Sequence, residues 1–307
     1  MTKENKQLRE ATNNAEVEGL VKDIRIEKKQ VNSKDAITGE IDIQVEDGSV
    51  HTFRVFSYKM NKEGNESGLY KGIETVMNEY KSIEKHGIDA ADKVRITQGK
   101  IGLNEYYGQD DQLRSFPQLS TNFINRVTDN FEPKAKFELE MVVASVKEEM
   151  KSEEATGRAI IKGYVPLYGG KVIPFEVVVE DQRAVDYVLN NYEKGNTVTV
   201  FGNIVNSTIV TKKEIEVGFG QPQEKITRNT VREYVVTGGT TPREEDDEKA
   251  YDMELIKKAL KERDTYLKEL KEKKGKQDEK NEKRNPFAQD DKKGKPVDIT
   301  DDDTLPF

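Results

Sequence analysis

The sequence predicts a mainly β protein in which two tandem five-stranded barrels are followed by a charged helix and a disordered acidic tail. Three observations lead to this prediction. Short segments with β-branched or aromatic residues at every second position recur between Gly, Asp and Asn, as in strands that bury one face. The same series of segments occurs twice. From residue 241 onward the chain becomes rich in charged, helix-forming residues, and then it has almost nothing to bury.

The composition limits the kinds of protein that this chain can be. Of its 307 residues, 34% are hydrophobic and 35% are charged, which suits two modest domains with a solvated segment better than one large core. The chain has no Cys and only two His, so we expect no zinc site, no Cys or His nucleophile and no cofactor. It lacks a long apolar run, which predicts a soluble cytoplasmic protein that does not enter membranes.

The internal repeat sets the order of the elements. Residues 16–25 align without gaps on residues 138–147, and both segments read as opening strands. The later matches are 48–56 with 170–178 for the third strands, 71–85 with 182–192 for the helices, and 93–97 with 197–201 for the fourth strands. Three strands, a helix and further strands is the order of the OB-fold, a five-stranded Greek-key barrel that often binds oligonucleotides.

The predicted domains follow from this repeat. They are a flexible N-terminus (1–14), a first OB-like barrel (15–129), a second OB-like barrel (130–240), an amphipathic charged helix (241–274) and a disordered tail (275–307). An unrelated duplicated β-sandwich is the main alternative for the repeated part. OB-folds also bind proteins and sugars, so the order of elements does not decide the ligand.

One face of the third strand is apolar in both copies, and we expect it to face the core. This face carries His51, Phe53 and Val55 in the first copy and Ile173, Phe175 and Val177 in the second. Because side chains alternate along a strand, the residues between them lie on the opposite face.

That opposite face differs between the copies. It reads Arg54, Phe56 and Tyr58 in the first copy and Glu176, Val178 and Glu180 in the second. Bases of a single strand stack on aromatic rings while cations pair with its phosphates, whereas glutamates repel phosphates. The first barrel is therefore the expected binder of single-stranded DNA, and the second is expected to be structural or to face a partner.

Further candidates come from the same comparison and from the segment after the fourth strand. Three basic residues of the first copy, Lys22, Arg95 and Lys100, align with the uncharged residues Ala144, Thr199 and Asn203 of the second. The segment that joins the fourth and fifth strands adds Tyr106, Tyr107, Arg114 and Phe116, at an edge that OB-folds use for oligonucleotides. Packing at the end of the barrel is the alternative for each aromatic. The net charge of −8 opposes nucleic-acid binding, so the groove would be a local basic cluster that relies on stacking.

The segment 244–274 predicts an amphipathic helix. Its apolar residues recur at spacings of three and four: Met253, Ile256, Leu260, Leu267 and Leu270. Arg263 occupies the position at which the next apolar residue would fall, so the apolar seam is broken and too short for a coiled coil. We expect this helix to dock on a barrel or a partner, with self-association as the alternative.

The chain closes on Asp301, Asp302, Asp303, Thr304, Leu305, Pro306 and Phe307. A terminal Phe suits an apolar pocket, its carboxylate suits an Arg or Lys, and the acidic run steers the approach of a partner. We therefore predict a partner-docking tip made of Asp301, Asp302, Asp303, Leu305, Pro306 and Phe307. The alternative is an ordinary disordered acidic terminus.

With this ending the chain resembles the bacterial and phage single-stranded DNA-binding proteins, whose acidic tails close on Asp-Asp-Asp, an apolar residue, Pro and Phe. Here Thr304-Leu305 stands before Pro306-Phe307 in place of the usual Ile. The resemblance implies a protein that coats single-stranded DNA in replication, recombination or repair and recruits an exonuclease, helicase or primase through its tail. Tandem barrels in a long body suggest a phage-encoded version that acts in the host cytoplasm.

Two other functions remain open at this point. An interaction scaffold or recombination mediator, whose barrels bind proteins, fits the acidic balance of the chain. A Mg²⁺-dependent nuclease fits less well, because the acidic pairs Asp110-Asp111 and Glu148-Glu149 lack an accompanying Lys or His that reads as catalytic. We therefore expect a protein that is not an enzyme.

Overall fold

The structure is a computed structural model, and it describes residues 8–215, 223–244 and 247–282. The protein is mainly β, as predicted. The first copy contributes β1 (Asn13–Val31), β2 (Lys34–Glu46), β3 (Ser49–Tyr58), α1 (Gly68–Glu79), α2 (Ile83–His86), β4 (Lys93–Tyr107) and β5 (Leu113–Ser120), and a two-residue strand β6 (Asn125–Arg126) follows.

The five long strands of the first copy close into a ring. Strands β1, β2 and β3 form an antiparallel meander, and β3 then pairs in parallel with β5. Strand β5 is antiparallel to β4, which returns to pair with β1. The order around the ring is β1-β2-β3-β5-β4-β1.

The second copy repeats this order. It contributes β7 (Lys134–Lys151), β8 (Glu154–Pro166), β9 (Val172–Val179), α3 (Gln182–Asn191), β10 (Thr197–Ile215) and β11 (Gln223–Gly239). Its pairings run β7-β8-β9-β11-β10-β7, again with one parallel pair, β9 with β11. The eleven strands that the structure describes belong to one hydrogen-bonded sheet, so the two rings are joined and are not independent sheets.

The two copies meet along their opening strands. Strands β1 and β7 are antiparallel, with Ala15 opposite Phe137. These two residues precede the aligned Glu16 and Glu138, so they occupy equivalent positions. Asn13 lies opposite Leu139, and Val17 lies opposite Ala135. The pairing is therefore reciprocal, as it would be across a two-fold axis between Ala15 and Phe137.

The alternation along β3 places one face in the core, as predicted. His51, Phe53 and Val55 are buried, and so are their counterparts Ile173, Phe175 and Val177. Burial lowers the pKa of His51 to about 4, because the charged imidazolium would have to leave water. One connected cluster of buried side chains runs through both rings.

Helices α1 and α3 each lie between the third and fourth strands of their copy. Ser67 caps α1 and Asp181 caps α3, each through a side-chain oxygen that accepts a hydrogen bond from a backbone N–H of the first turn. Each helix buries an apolar stripe against its ring. The helix predicted over 71–85 is divided, because Tyr80 adopts an extended backbone between α1 and α2.

The last helix, α4 (Met253–Glu282), docks on both copies. Ile256 and Leu267 of its apolar face are buried. Arg263, where the apolar seam is broken, forms an ion pair with Glu105 of β4. The helix continues past Gly275 to Glu282, so the tail predicted to be disordered from 275 is helical over its first residues. The docking tip at 301–307 lies outside the described residues.

Among the helices that the structure describes, none combines the length and apolar character that crossing a membrane would require.

Candidate nucleic-acid interface

Strand β3 presents a cation and two aromatic side chains on its outer face, as the alternation predicts. Arg54 is exposed, whereas Phe56 and Tyr58 are half-buried. The rings of Phe56 and Tyr58 pack edge to face, with centroids 4.9 Å apart and planes at 84°. The ammonium of Lys34 lies 5.8 Å from the centre of the Tyr58 ring.

A row of polar side chains crosses the ring at the level of Arg54. Arg54 of β3 lies opposite Ser120 of β5, and Ser120 lies opposite Lys100 of β4. Residues that are paired in this way share a face of the sheet, so Arg54 and Lys100 lie on the same outer face, two strands apart. At about 4.8 Å between neighbouring strands, their Cα atoms are about 10 Å apart.

The β4–β5 hairpin adds aromatic side chains to this face. Asn104 lies opposite Phe116, and Tyr106 lies opposite Arg114. The ring centroids of Tyr106 and Phe116 are 6.3 Å apart, and the two residues are 44% and 47% exposed, respectively. These exposed rings offer a surface on which a planar base can stack.

The two aromatic clusters flank the row. Strand β5 runs parallel to β3, so Phe116 lies four positions before the row, whereas Phe56 lies two positions after it. At about 3.3 Å per residue, the clusters are about 20 Å apart along the strands. An extended polar chain could therefore contact a ring at each end and a cation in the middle.

Three of the predicted residues lie elsewhere. Tyr107 follows Tyr106 on a strand and so points to the opposite face, where Lys271 of α4 lies 5.7 Å from its ring centre. Lys22 is the extra residue of a bulge in β1, half-buried and two strands away from β3. Neither belongs to the face that carries Arg54. The third residue is Arg95.

Arg95 has a structural partner. Its Nε and one Nη donate to the carboxylate of Glu18 at 2.6 and 3.0 Å, and the Glu18 side chain is completely buried. The hydrogen bond from Arg95 is the main reason that the pKa of Glu18 lies below its usual value. The guanidinium of Arg95 therefore neutralises a buried charge, a structural role beside the predicted phosphate contact.

The second copy explains why Thr199 stands where the first copy has Arg95. Glu140 is the counterpart of Glu18 and is also buried, but it accepts two hydrogen bonds from Arg9, each 2.8 Å long. Burial raises the pKa of Glu140, yet the hydrogen bonds from Arg9 and Tyr251 outweigh it and hold the pKa below the usual value. The fourth strand of the second copy therefore does not have to supply an arginine.

The charges on the outer face are unevenly compensated. Lys100 lies 3.7 Å from Glu10, and Arg114 lies 3.3 Å from Asp110. Within the described part of the chain, Arg54 makes no ion pair. It is the cation of the row that an incoming phosphate could contact without first breaking an ion pair.

A cleft of about 390 Å³ separates this face from the second copy. Arg54 and Phe116 line it from the first copy, and Asn206 and Arg232 line it from β10 and β11. Sequence comparison missed Arg232. The sequence feature that could have indicated it is the alternation along β11. Arg232 occupies a position in register with the buried Tyr234 and Val236, where an apolar side chain would be expected.

Comparison with known proteins gives a family and one distant structure. No protein of curated function matches the sequence. A solved deletion mutant of the single-stranded DNA-binding protein from Thermus aquaticus is similar in structure, with a TM-score of 0.46 and 10% identity over 78% of this chain and 98% of that one. A sequence-family model described as YorF matches residues 11–273. Because this match covers most of the chain, the protein belongs to the YorF family.

Proposed function

We propose that the two rings are OB-fold barrels and that the first binds single-stranded DNA on its outer face. The observation that carries this proposal is the arrangement of two aromatic clusters, one half-buried and one exposed, on either side of the row through Arg54 and Lys100. Proteins that bind single strands combine stacking surfaces with cations that contact the backbone.

In this proposal the bases stack on the rings and the phosphates lie over the row. Phe56 and Tyr58 offer one stacking surface, and Tyr106 and Phe116 offer the other. Each stacked base contributes about 1–3 kcal/mol to binding. Stacking does not distinguish the bases strongly, so we expect little sequence preference.

The acidic character of the protein sets the salt dependence that we expect. With a net charge of −8 and acidic partners near Lys100 and Arg114, few phosphates can be neutralised. If two or three are, the logarithm of the binding constant should fall with the logarithm of salt concentration with a slope of about −2. Binding that relies on many lysines would have a much steeper slope.

The tip at 301–307 is proposed to recruit replication or recombination proteins while the first ring holds DNA. Its acidic run followed by Pro306 and Phe307 supports this role. A tether on the same chain raises the local concentration of a partner near the DNA. This work would take place in the cytoplasm, and in that of the host if the protein is phage-encoded.

One observation favours the alternative of a protein-binding scaffold or mediator. On the outer face of β1 and β2, Arg25 is surrounded by Asp23, Glu40 and Asp42, all of which form ion pairs with it. Three carboxylates against one guanidinium leave this part of the face negative, which suits a basic protein segment better than DNA.

The test uses fluorescent oligo-dT and the full chain across a salt series, with duplex DNA as a control. Replacing both Tyr106 and Phe116 by Ala should weaken binding at least tenfold while leaving the salt slope nearly unchanged. Tyr168→Ala is the matched control, because Tyr168 is 83% exposed on the second copy. It should bind like the wild type.

A shortened chain that ends before Asp298 separates the two proposed activities. It should bind oligo-dT as tightly as the full chain or more tightly, because it has lost acidic residues that compete with DNA. No binding by either chain would reject the DNA-coating function and favour the scaffold.

A further inference from the structure

We propose that the cleft between the two copies seats one nucleotide of the bound strand, with its phosphate held between Arg54 and Arg232. This inference rests on the proposed function and extends it, because it gives the second copy a direct contact with DNA.

The cleft is held open by backbone contacts between the copies. The β10–β11 hairpin extends beyond its own ring and crosses the β2–β3 turn of the first copy. Ser207 pairs with Ser49, and the N–H of Thr208 donates to the carbonyl of Gly48 at 2.9 Å. A Cβ at Gly48 would lie 3.2 Å from the carbonyl oxygen of Thr208, and Gly48 has a φ of +77°, so glycine suits this crossing.

The crossing also uses a side chain from the wall of the cleft. The amide nitrogen of Asn206 donates to the carbonyl of Val50, at the start of β3. Asn206 lies opposite Arg232 in the β10–β11 pairing, so the contact that fixes Asn206 also fixes the backbone that carries Arg232. The second wall is therefore positioned before any ligand arrives, which reduces the entropy cost of binding.

The charges leave two cations available. The carboxylate of Glu40 lies in the cleft but pairs with Arg25, and that of Glu233 accepts a hydrogen bond from Arg158 at 2.6 Å. Over the residues that the structure describes, neither Arg54 nor Arg232 forms an ion pair. Arginine presents several N–H donors in a planar fork that matches the oxygens of a phosphate.

The rest of the lining suits a base. Phe116 offers a half-exposed ring, and the amides of Asn104 and Gln118 offer both donors and acceptors for base edges. The volume of about 390 Å³ lies within the range of ~300–1,000 Å³ that is usual for small-molecule sites. The cleft therefore has room for one nucleotide and not for a duplex.

The cleft also continues the path proposed on the outer face. Its first wall is the half of that face between Arg54 and Phe116, so a strand that leaves the row toward Phe116 passes directly under the hairpin. We therefore assign the cleft to a nucleotide within a strand and not to a free mononucleotide.

The experiment measures binding of fluorescent oligo-dT to the full chain with Arg232→Ala, Arg232→Lys and Arg54→Ala. Loss of Arg232 should weaken binding about tenfold, as expected for a charge-assisted hydrogen bond, and should reduce the salt slope by about 0.7. Arg232→Lys should recover part of the affinity. Arg183→Ala is the matched control, since Arg183 is exposed on α3 of the second copy.

A double variant tests whether the two arginines hold the same phosphate. Arg54→Ala combined with Arg232→Ala should weaken binding by less than the product of the two single effects, because removing either cation already releases the phosphate. Thymidine monophosphate should not compete with oligo-dT at concentrations far above that of the protein. Efficient competition would overturn the assignment to a nucleotide within a strand.

The outcomes separate this inference from the proposed function. If the wild type binds, Arg54→Ala weakens binding and Arg232→Ala does not, then the cleft carries no nucleotide while the first ring still binds DNA. If the wild type itself does not bind, the proposed function fails and this inference fails with it.

Discussion

Arg263 of α4 donates to Glu105 of β4, and it does so at the one position where the apolar seam of the helix is interrupted. Both side chains are largely buried, at 16% and 11% exposed. The helix is therefore held against the back of the β4–β5 hairpin, whose other face carries Tyr106 and Phe116. Among the residues that the structure describes, none accepts a hydrogen bond from the buried Nε of Arg263, which adds to the cost of this arrangement.

We expect each single replacement of this pair by Leu to destabilise the protein. Arg263→Leu leaves the Glu105 carboxylate buried alone, and Glu105→Leu leaves the guanidinium alone, so each should cost about 3 kcal/mol. The double variant should be close to wild type or more stable, because it completes the apolar seam and removes the unpartnered Nε. Urea unfolding of the full chain measures all three; a double variant as unstable as the sum of the singles would contradict this account.

The buried His51 should make stability depend on pH between about 6.5 and 4. As the pH falls below about 6.5, the unfolded chain takes up a proton at this residue. The native protein does not, because burial lowers the pKa of His51 to about 4. The unfolded state then binds more protons, so the free energy of unfolding falls by ~1.4 kcal/mol per pH unit. We expect a loss of about 2 kcal/mol between pH 6.5 and 5.

His51→Ile is the matched variant, because the second copy has Ile173 at this position. His86, the other histidine, remains in both proteins. Unfolding curves at several pH values should show a flatter dependence for the variant above pH 5, where carboxylates contribute little. Equal slopes for the two proteins would mean that His51 is protonated in the folded state.

Gly39 should tolerate no side chain. It has a φ of +152°, and a Cβ there would lie 2.0 Å from the carbonyl oxygen of Arg25 on the paired strand. Gly39→Ala should therefore cost roughly 3 kcal/mol or more. Gly72→Ala is the control in helix α1, where an added Cβ meets nothing within 4 Å. It should stabilise the protein by up to about 1 kcal/mol. Thermal unfolding should move in opposite directions for the two variants.

Substitutions at Arg54 should mainly affect DNA binding, whereas substitutions at Arg95 should mainly affect the stability of the fold. Arg54→Glu gives the first copy the residue that the second has at Glu176, and it should weaken oligo-dT binding more than tenfold. Because Glu40 lies directly opposite on β2, the like charges should also lower stability, by less than about 1 kcal/mol. Arg95→Met should lower stability by about 3 kcal/mol, because Glu18 is left buried without its partner. The folded fraction should still bind DNA. If Arg95→Met instead weakened binding with unchanged stability, Arg95 would return to the site.

Glu176→Arg on the second copy is the reciprocal variant. If it leaves oligo-dT affinity unchanged, the first copy alone supplies the outer-face contact, as proposed. A gain in affinity would show that the second copy also offers a usable face.

Alternation along strands predicted much of the fold and part of the site. Period-two spacing assigned Phe53 to the core and Arg54 to the outer face, and both assignments are confirmed. The same rule separates Tyr106 from Tyr107, although the sequence analysis grouped them. Adjacent residues of a strand point to opposite faces, so one binding face would not include both rings.

The role of Arg95 could not be read from the repeat. Aligning the two copies shows that Arg95 of the first corresponds to Thr199 of the second. The reason for the arginine is that β4 pairs with β1, which places Arg95 opposite the buried Glu18. In the second copy the equivalent arginine, Arg9, precedes both repeats in the chain. A contact between residues far apart in sequence leaves no local pattern.

The cleft could not be predicted from the sequence, because it depends on how the two copies pack together. It forms only because the β10–β11 hairpin crosses the turn at Gly48, a contact between the copies. Alternation assigns residues to faces within one sheet, but it does not say how far a hairpin extends past its ring. Arg232 is in register with the buried Tyr234 and Val236, but its position in the sequence does not show that it lines a cleft.

The reciprocal pairing of β1 with β7 bears on how the two halves came to differ. A homodimer encoded by a single gene must carry every substitution in both subunits, so a cation introduced to hold DNA appears on both faces whether or not the second can use it. Here the two-fold contact between Ala15 and Phe137 lies within one polypeptide. Each half can acquire its own substitutions while the symmetric junction is kept, and Arg54 in one half with Glu176 in the other is a combination that a homodimer of one gene cannot have.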